Sequence, residues 1–254
     1  MLLTNIEWAD FTHNFWNGCQ KISAGCKFCY MHRLDEAHGK DPSIVRRAPN
    51  ARFYEPLLKI QPGKVFTCSM SDFFIEEADP WRDDAWDVIR KTPHNTWQIL
   101  TKRPERILEH LPKDWGEGYP NVWLGVTVED QKSFNRVEIL SKIPSALRFI
   151  SAEPLLEDVD FLITDENGNR AIDSFQWVIL GGESGNETGK YRYRLCMLRW
   201  LNRVLRDLKD NTEARVFVKQ LGSHLARKHG LYRHGENINQ FPKYLQVREM
   251  PDAA

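Results

Sequence analysis

The stretch NVWLGVTVED, residues 121–130, joins a run of apolar and β-branched side chains to two carboxylates that follow it directly. The run from Val122 to Val128 is short and rich in residues that favour strands, so it predicts a buried strand. Five other runs have the same character: Val65 to Cys68, Trp97 to Leu100, Leu147 to Ile150, Trp177 to Leu180 and Val216 to Val218. The sequence therefore predicts a succession of short buried strands.

Segments with helical spacing separate these strands. Asp79 and Pro80 open one of them, and the leucines between Leu198 and Leu208 mark another. Successive strands begin roughly 30 residues apart, which suits one strand plus one crossover helix and predicts a parallel α/β sheet. We expect a complete or partial (β/α) barrel, with a doubly wound open sheet as the alternative. The barrel and its N-terminal cysteine loop would occupy residues 1–222, and residues 223–254 would form a C-terminal extension packed on it.

Polar side chains follow every predicted strand, in the segments SMSDFF, TKR, EDQ, SAEP, GGESGN and KQLG. In parallel barrels the active site lies at the carboxyl ends of the strands. Taken singly, each of these residues is as readily a loop residue or a member of a strand-end salt bridge. Taken together, they predict that one face of the barrel gathers Asp72, Lys102, Arg103, Glu129, Glu153, Glu183 and Lys219.

The composition is that of an ordinary globular protein: 254 residues, 41% hydrophobic, 28% charged and with no formal net charge. Any nucleic-acid surface must then be a local patch. Two basic groups are candidates, one from Lys190 to Arg206 with interleaved aromatics and one from Arg227 to His234. A solvated helix face is the competing interpretation of the first group.

The sequence has no long apolar run and no signal-peptide layout at its N-terminus, so we expect a cytoplasmic protein that does not enter a membrane.

Three of the five cysteines fall in NGCQKISAGCKFCYMHR, residues 17–33. An odd cluster of thiols in a reducing compartment points to a metal rather than to disulfides. Structural zinc needs a fourth ligand, for which His32 is the first candidate and His13 a less obvious one. An iron–sulfur cubane usually takes four cysteines, and with three of them one iron keeps an open position. Cys68 and Cys196 stand apart from the cluster, and we expect both to be core residues.

The loop Cys19-x6-Cys26-x-Phe28-Cys29 resembles the three-cysteine loop of the radical S-adenosylmethionine superfamily, with a longer first gap. The wider chain is similar to a phage- and prophage-encoded family of unknown function that has a three-cysteine, radical SAM-like site. The segments that carry this resemblance are IEWADFTHNFWNGCQKISAGCKFCYM, VFTCSMSDFF, WQILTKRPER, NVWLGVTVED, RFISAEPLL, WVILGGESG, VFVKQLG and FPKYLQVREMP.

The resemblance implies a 4Fe–4S cluster held by Cys19, Cys26 and Cys29, with S-adenosylmethionine on the fourth iron. A reductant protein would deliver the electron that cleaves S-adenosylmethionine to methionine and a 5′-deoxyadenosyl radical, which abstracts hydrogen from a substrate. The substrate is not identified by the resemblance, and nucleic acid is one possibility. A zinc-binding Cys3His protein that binds nucleic acid or a partner without catalysis is the alternative.

The same resemblance implies roles for residues around the cluster. Phe28 would lie against the adenine. Ser69, Ser71 and Asp72 would bind the methionine amine in place of the superfamily's usual glycine-rich segment, and Glu129 would bind the ribose. The residues expected to face the reaction are Asp72, Lys102, Glu153 and Glu183, with Lys102 and Arg103 also suited to a carboxylate or phosphate.

Overall fold

The computed structural model describes residues 1–252. The strands in this part of the chain are β1 (Leu2–Leu3), β2 (Phe11–His13), β3 (Trp16–Asn17), β4 (Arg46–Arg47), β5 (Gly63–Thr67), β6 (Asn95–Thr101), β7 (Val122–Thr127), β8 (Leu147–Ala152), β9 (Trp177–Gly181) and β10 (Arg215–Gln220). Every predicted strand is confirmed, as β5 to β10. The strands that the sequence did not reveal, β1 to β4, span only two or three residues each, too few for a pattern to stand out.

The α-helices of the same residues are α1 (Tyr30–Ala37), α2 (Asn50–Phe53), α3 (Asp79–Arg90), α4 (Asn135–Leu140), α5 (Leu198–Asn211) and α6 (Ser223–His229). Short 3-10 turns occur at Ala24–Cys26, Glu55–Leu58, Glu76–Ala78, Pro104–Arg106, Leu108–His110, Gln131–Phe134, Ala171–Ser174, Ile238–Gln240 and Lys243–Leu245. Helix α3 begins at the predicted Asp79-Pro80 pair, because proline suits the first helical turn. The crossovers from β6 to β7 and from β8 to β9 contain only 3-10 turns, so the prediction of a helix in every crossover was wrong there.

The main sheet has the strand order β1-β2-β5-β6-β7-β8-β9-β10. Strand β1 is antiparallel to β2, and every other neighbouring pair is parallel, which confirms the parallel α/β class. A doubly wound sheet reverses its strand order at a switch point, whereas these strands follow one another in chain order. The predicted complete barrel is not formed, because β1 and β10 stand at opposite ends of an open sheet.

The strands divide their side chains between two cores. In β7, Val122 and Leu124 pack in the larger core together with helix residues, while Trp123 between them points to the other face, as the two-residue period of a strand requires. The second core is largely aromatic and includes Phe66, Trp123, Phe149, Trp177 and Phe217. Trp8, in the segment that precedes β2, packs into this aromatic core and covers it. The face of the sheet that carries the aromatic core is therefore filled with side chains up to the carboxyl ends of the strands.

Both ends of the sheet are covered by segments that run antiparallel to their neighbour. Strand β1 covers β2 at one end. At the other end, the Val218 N–H donates to the Val247 carbonyl over 2.8 Å, and the Glu249 N–H donates to the Val216 carbonyl over 2.9 Å. Such coverage protects sheet edges from pairing with other chains. It also shows that residues following α6 pack on the sheet, while a domain boundary at residue 222 stays a prediction.

The basic stretch around α5 is a core-packing helix with a solvated outer face. Trp200 and Tyr191, two of its aromatics, are buried and so cannot stack on a base. Arg203 pairs with Asp158 over 3.0 Å and with Asp207 over 3.3 Å. Two of the three aromatic rings of this stretch are therefore unavailable for base stacking, and carboxylates pair with Arg203, while nucleic-acid binding by its exposed basic residues stays a prediction. No helix within residues 1–252 is long and apolar enough to cross a bilayer.

Candidate functional site

A cavity of about 460 Å³ opens at the carboxyl ends of the parallel strands; we call it the strand-end cavity. Each of the strands β5 to β10 contributes a terminal or following residue to its lining, and the cysteine loop forms a further wall. Trp8, Phe66 and Leu100 make its floor apolar. The predicted site residues that line it are Cys19, Cys26, Phe28, Cys29, Ser69, Ser71, Asp72, Lys102, Arg103, Glu153, Glu183 and Lys219. Two predicted residues do not line it: Glu129, and His13, the less obvious candidate for a zinc ligand.

The cysteine loop is positioned by backbone contacts at its start. Gly18 has a φ of +93°, and a Cβ there would lie 2.2 Å from the Ile44 carbonyl oxygen, so only glycine fits. The Gly18 N–H donates to the Met70 carbonyl over 3.0 Å, and the Ser71 hydroxyl donates to the Gly18 carbonyl. Cys19 follows with its N–H bonded to the Pro42 carbonyl over 2.8 Å. The segment after β5 thus holds the loop that carries the thiols.

Two cations lie close to the thiols. The Arg103 guanidinium is 4.0 Å from Cys19 Sγ and 3.1 Å from Asp72 Oδ2. Burial, reinforced by the Asp72 charge, raises the pKa of Cys19 to about 12. Burial acts in the same sense on Cys26, but the Lys102 charge and nearby hydrogen bonds outweigh it and lower the Cys26 pKa. The loop therefore presents two different thiols. Cys19 lies beside a buried ion pair, whereas Cys26 has a lowered pKa.

The three thiols share a wall of the cavity without converging on one point. Within residues 1–252, no set of three or more His, Cys, Asp and Glu side chains is arranged to hold a metal ion. His32 lines the same cavity from α1 and is 7% exposed. Burial lowers the pKa of His32, which keeps the imidazole neutral and able to act as a ligand.

Asp72 is committed to structural hydrogen bonds. Its carboxylate accepts from the Phe74 N–H over 2.9 Å, from the Thr101 hydroxyl over 2.7 Å and from the Lys102 N–H over 2.9 Å, besides pairing with Arg103. A carboxylate that accepts from this many donors has little capacity left for a ligand. Asp72 therefore ties the ends of β5 and β6 together at the cavity wall.

Glu129 lies behind the cysteine loop, and both of its carboxylate oxygens have partners in the protein. It is fully buried, accepts from Arg136 over 2.7 Å, and accepts from the Gly25 N–H over 3.3 Å. A Cβ at Gly25 would approach the Glu129 carboxyl carbon to 3.1 Å. The strand end of β7 thus supports the loop between Cys19 and Cys26 from outside the cavity, which explains why Glu129 is absent from the lining.

The cavity lining also carries an ion pair from the ends of β8 and β10. Lys219 Nζ lies 2.8 Å and 2.9 Å from the two carboxylate oxygens of Glu153. Both side chains keep part of their surface accessible, 21% for Lys219 and 16% for Glu153. The pair can therefore exchange one of its contacts for a polar group of a molecule in the cavity.

A family model described as protein of unknown function, DUF5131, matches residues 3–249. The chain belongs to the DUF5131 family. No curated protein and no solved structure matches the sequence. Membership of DUF5131 covers nearly the whole described chain and carries no activity with it, so the chemistry has to be argued from the cavity.

In this DUF5131 protein the sequence reasoning missed the main contact between the cysteine loop and the strand ends. Arg194 donates from its N–H and its Nε to Glu183 Oε2, each over 2.9 Å. Its Nη1 donates to the Ala24 carbonyl over 2.9 Å, and its guanidinium carbon lies 5.0 Å from the centre of the Phe28 ring. Arg194 thereby joins the segment after β9 to the cysteine loop. No local signal sets it apart from the other arginines of the basic stretch.

Proposed function

We propose that this chain is a radical S-adenosylmethionine-type enzyme whose cysteine loop holds a 4Fe–4S cluster. The observation that carries the proposal is the placement of Cys19, Cys26 and Cys29 on one wall of a cavity whose other walls are strand ends. When bound, the cluster supplies the electron that cleaves S-adenosylmethionine to a 5′-deoxyadenosyl radical, which abstracts hydrogen from a substrate.

The three thiols are the type of donor that such a cluster takes, and the cysteine loop would have to draw them together around it, since they do not converge on one point in the structure. Thiolates are its usual ligands, and the charge of several thiolates needs compensation in a buried site. Lys102 and Arg103 supply that compensation from the end of β6, next to Cys26 and Cys19. All five cysteines are free, which fits a reducing compartment, and we propose that the protein works in the cytoplasm.

The cavity also suits S-adenosylmethionine. Its volume of about 460 Å³ lies in the range of small-molecule sites, roughly 300–1,000 Å³. We assign Phe28 to the adenine and the hydroxyls of Ser69 and Ser71 to the methionine end. The hydrogen bonds of Asp72 and Glu129 support a different role from the one implied by the resemblance: both position the cysteine loop and its surroundings. Lys102 remains available to a carboxylate, because among residues 1–252 its ammonium hydrogen-bonds only the Thr127 hydroxyl, over 3.3 Å.

The remaining polar groups would bind and orient the substrate. Glu153 and Lys219 line the same cavity as the thiols, so a substrate bound to them would share that cavity with the reacting group. Glu183 is held by Arg194, whose guanidinium also lies beside Phe28. The apolar floor of Trp8, Phe66 and Leu100 limits access of water from below. We further propose that the open sheet is the partial form of the superfamily's barrel, that the family is phage-encoded and that a reductant protein supplies the electron.

Anaerobic reconstitution tests the function. We expect the wild-type chain to take up iron and sulfide and, with a reductant, to form 5′-deoxyadenosine from S-adenosylmethionine. Cys26→Ala should abolish both, whereas Cys196→Ala is the matched control, since Cys196 is buried away from the cavity. A wild-type protein that takes up zinc only and never forms 5′-deoxyadenosine would overturn the proposal.

A structural Cys3His zinc site is the second candidate, because His32 lines the same cavity as the thiols. Under that function His32→Ala should lose metal as severely as Cys26→Ala. Under the radical function His32→Ala should keep its iron, since S-adenosylmethionine rather than histidine completes the site. Metal content of the two variants after purification and after reconstitution separates these outcomes.

A further inference from the structure

A second cavity lies beside the segment that follows β9. Its volume is about 480 Å³, and its lining consists of Gly185, Ser223, Arg227, Leu231, Arg233 and His234. Gly185 directly follows Glu183 and Ser184, which line the strand-end cavity. The two cavities thus adjoin the same short segment, residues 183–185.

Hydrogen bonds organise the inner end of this second cavity. Ser223 is 3% exposed, and its hydroxyl accepts from the Gly185 N–H over 3.0 Å. Nδ1 of His234 lies 2.7 Å from the same hydroxyl. This bond engages one ring nitrogen and fixes the ring, so that Nε2 is left for another partner. The imidazole is therefore oriented by the protein before any ligand arrives.

Cations dominate the outer part of the second cavity. The side chains of Arg227 and Arg233 are 65% and 61% exposed, and each forms a surface ion pair, Arg227 with Glu187 at 3.3 Å and Arg233 with Glu236 at 3.6 Å. Such exposed pairs are weak and are readily replaced by a better acceptor. Arg233 also has a φ of +47°, a conformation that non-glycine residues adopt at a cost and that recurs at functional sites. Arg33 of α1 adds a further positive charge, since it bonds Asn186 over 3.2 Å, next to Gly185.

We propose that the second cavity binds a phosphate group of the substrate while the reacting part of the substrate occupies the strand-end cavity. Two guanidiniums, whose surface ion pairs can be exchanged, and an oriented imidazole form a set of donors that matches phosphate oxygens. The substrate class is therefore a nucleotide or a nucleic acid. This inference rests on the proposed function for what happens in the strand-end cavity, but phosphate binding itself needs neither cluster nor S-adenosylmethionine.

The test measures binding to the full-length chain, before and after reconstitution. The probes are a fluorescent single-stranded oligonucleotide, the matching duplex, and a mononucleotide and inorganic phosphate as competitors. Arg227→Ala/Arg233→Ala should weaken oligonucleotide binding by about tenfold. The slope of the logarithm of the binding constant against the logarithm of the salt concentration should become shallower by about 1.4, as expected for two lost phosphate contacts on a single strand. The matched control is Arg199→Ala/Arg206→Ala, which removes two basic residues from α5.

The outcomes separate this inference from the proposed function. Binding that weakens in Arg227→Ala/Arg233→Ala and not in the control variant supports the phosphate site. The competitor that binds best then shows whether the bound phosphate belongs to a mononucleotide or to a polymer. Equal affinity in wild type and both variants, or equal weakening in both variants, overturns it. The wild-type chain could also bind the oligonucleotide, with weaker binding in the Arg227→Ala/Arg233→Ala variant alone, and yet form no 5′-deoxyadenosine after reconstitution. That result would refute the proposed function and leave the phosphate site standing.

Discussion

His13 shows how the environment of a residue decides its chemistry. In the sequence it is a candidate ligand near the cysteines, but the structure buries it completely against Phe15 and Trp97, with ring centres 4.5 Å and 5.9 Å away. Within residues 1–252, neither ring nitrogen of His13 has a hydrogen-bond partner of normal geometry, although the nearby Phe53 backbone acts to raise its pKa. Burial prevails and lowers the pKa of His13 to about 3. His13 is therefore a neutral core residue and not a metal ligand.

His13 should make the protein less stable in acid. The unfolded chain takes up a proton on this histidine near pH 6.5 and the folded chain only near pH 3, so stability is lost as pH falls between those values. Between pH 7 and pH 5 this loss amounts to about 2 kcal/mol. Urea unfolding at both pH values should therefore show a smaller decrease for His13→Leu than for wild type. His229→Leu, which changes an exposed histidine, should behave like wild type; equal decreases in all three proteins would contradict the prediction.

At the scale of elements, the cysteine loop depends on contacts with segments far away in the sequence. Gly18 meets the Ile44 backbone, Gly25 meets Glu129, and Arg194 reaches the Ala24 carbonyl. The spacing of the cysteines predicts a shared site, but it contains no information on which residues support the loop. Because these partners lie between 26 and 170 positions away, only the folded chain identifies them.

Gly18→Ala should displace the loop at Cys19. The new Cβ would lie 2.2 Å from the Ile44 carbonyl oxygen, at a φ that disfavours alanine, so the backbone must move. Gly39→Ala is the matched control, because its φ is +68° and a Cβ there meets nothing within 4 Å. We expect the control to lose about 1 kcal/mol from backbone strain and Gly18→Ala to lose clearly more.

Alkylation of Cys19 followed by mass spectrometry reports the loop directly. The rate should rise in Gly18→Ala and stay at the wild-type value in Gly39→Ala, and iron uptake should fall only in the former. Similar alkylation rates in the two variants would show that Gly18 is not required to place this thiol.

At the scale of the whole molecule, the two ends of the sheet explain why the barrel stays open. Strand β1 and the segment around Val247 each run antiparallel to the strand that they cover. A parallel closing contact between β2 and β10 would have to displace both. The Trp177 indole N–H also donates to the Glu249 carbonyl over 2.9 Å, which ties the covering segment to the aromatic core.

Removal of the segment that covers β10 should destabilise the protein and make it associate. A chain that ends at Gln246 loses the three hydrogen bonds of Val247 and Glu249 to β10 and the bond to Trp177, about 4 kcal/mol at roughly 1 kcal/mol each. It also exposes a parallel edge strand, which invites pairing between molecules. Thermal unfolding and light scattering check this, with a chain ending at Asp252 as the control. An unchanged midpoint and a monomeric shortened chain would refute the prediction.

The sequence by itself determined the strands β5 to β10, their parallel class and the set of residues at their carboxyl ends, because apolar runs and the polar residues after them are local features. Helix α3 was equally visible from its Asp79-Pro80 start. The tertiary structure alone decided that the sheet stays open, that Asp72 and Glu129 are already occupied by protein donors, and that Arg194 bridges to the cysteine loop. Each of these features depends on contacts between residues that are distant in the sequence. The sequence shows that a carboxylate is present, but not whether a ligand, an arginine or a backbone N–H will be its partner.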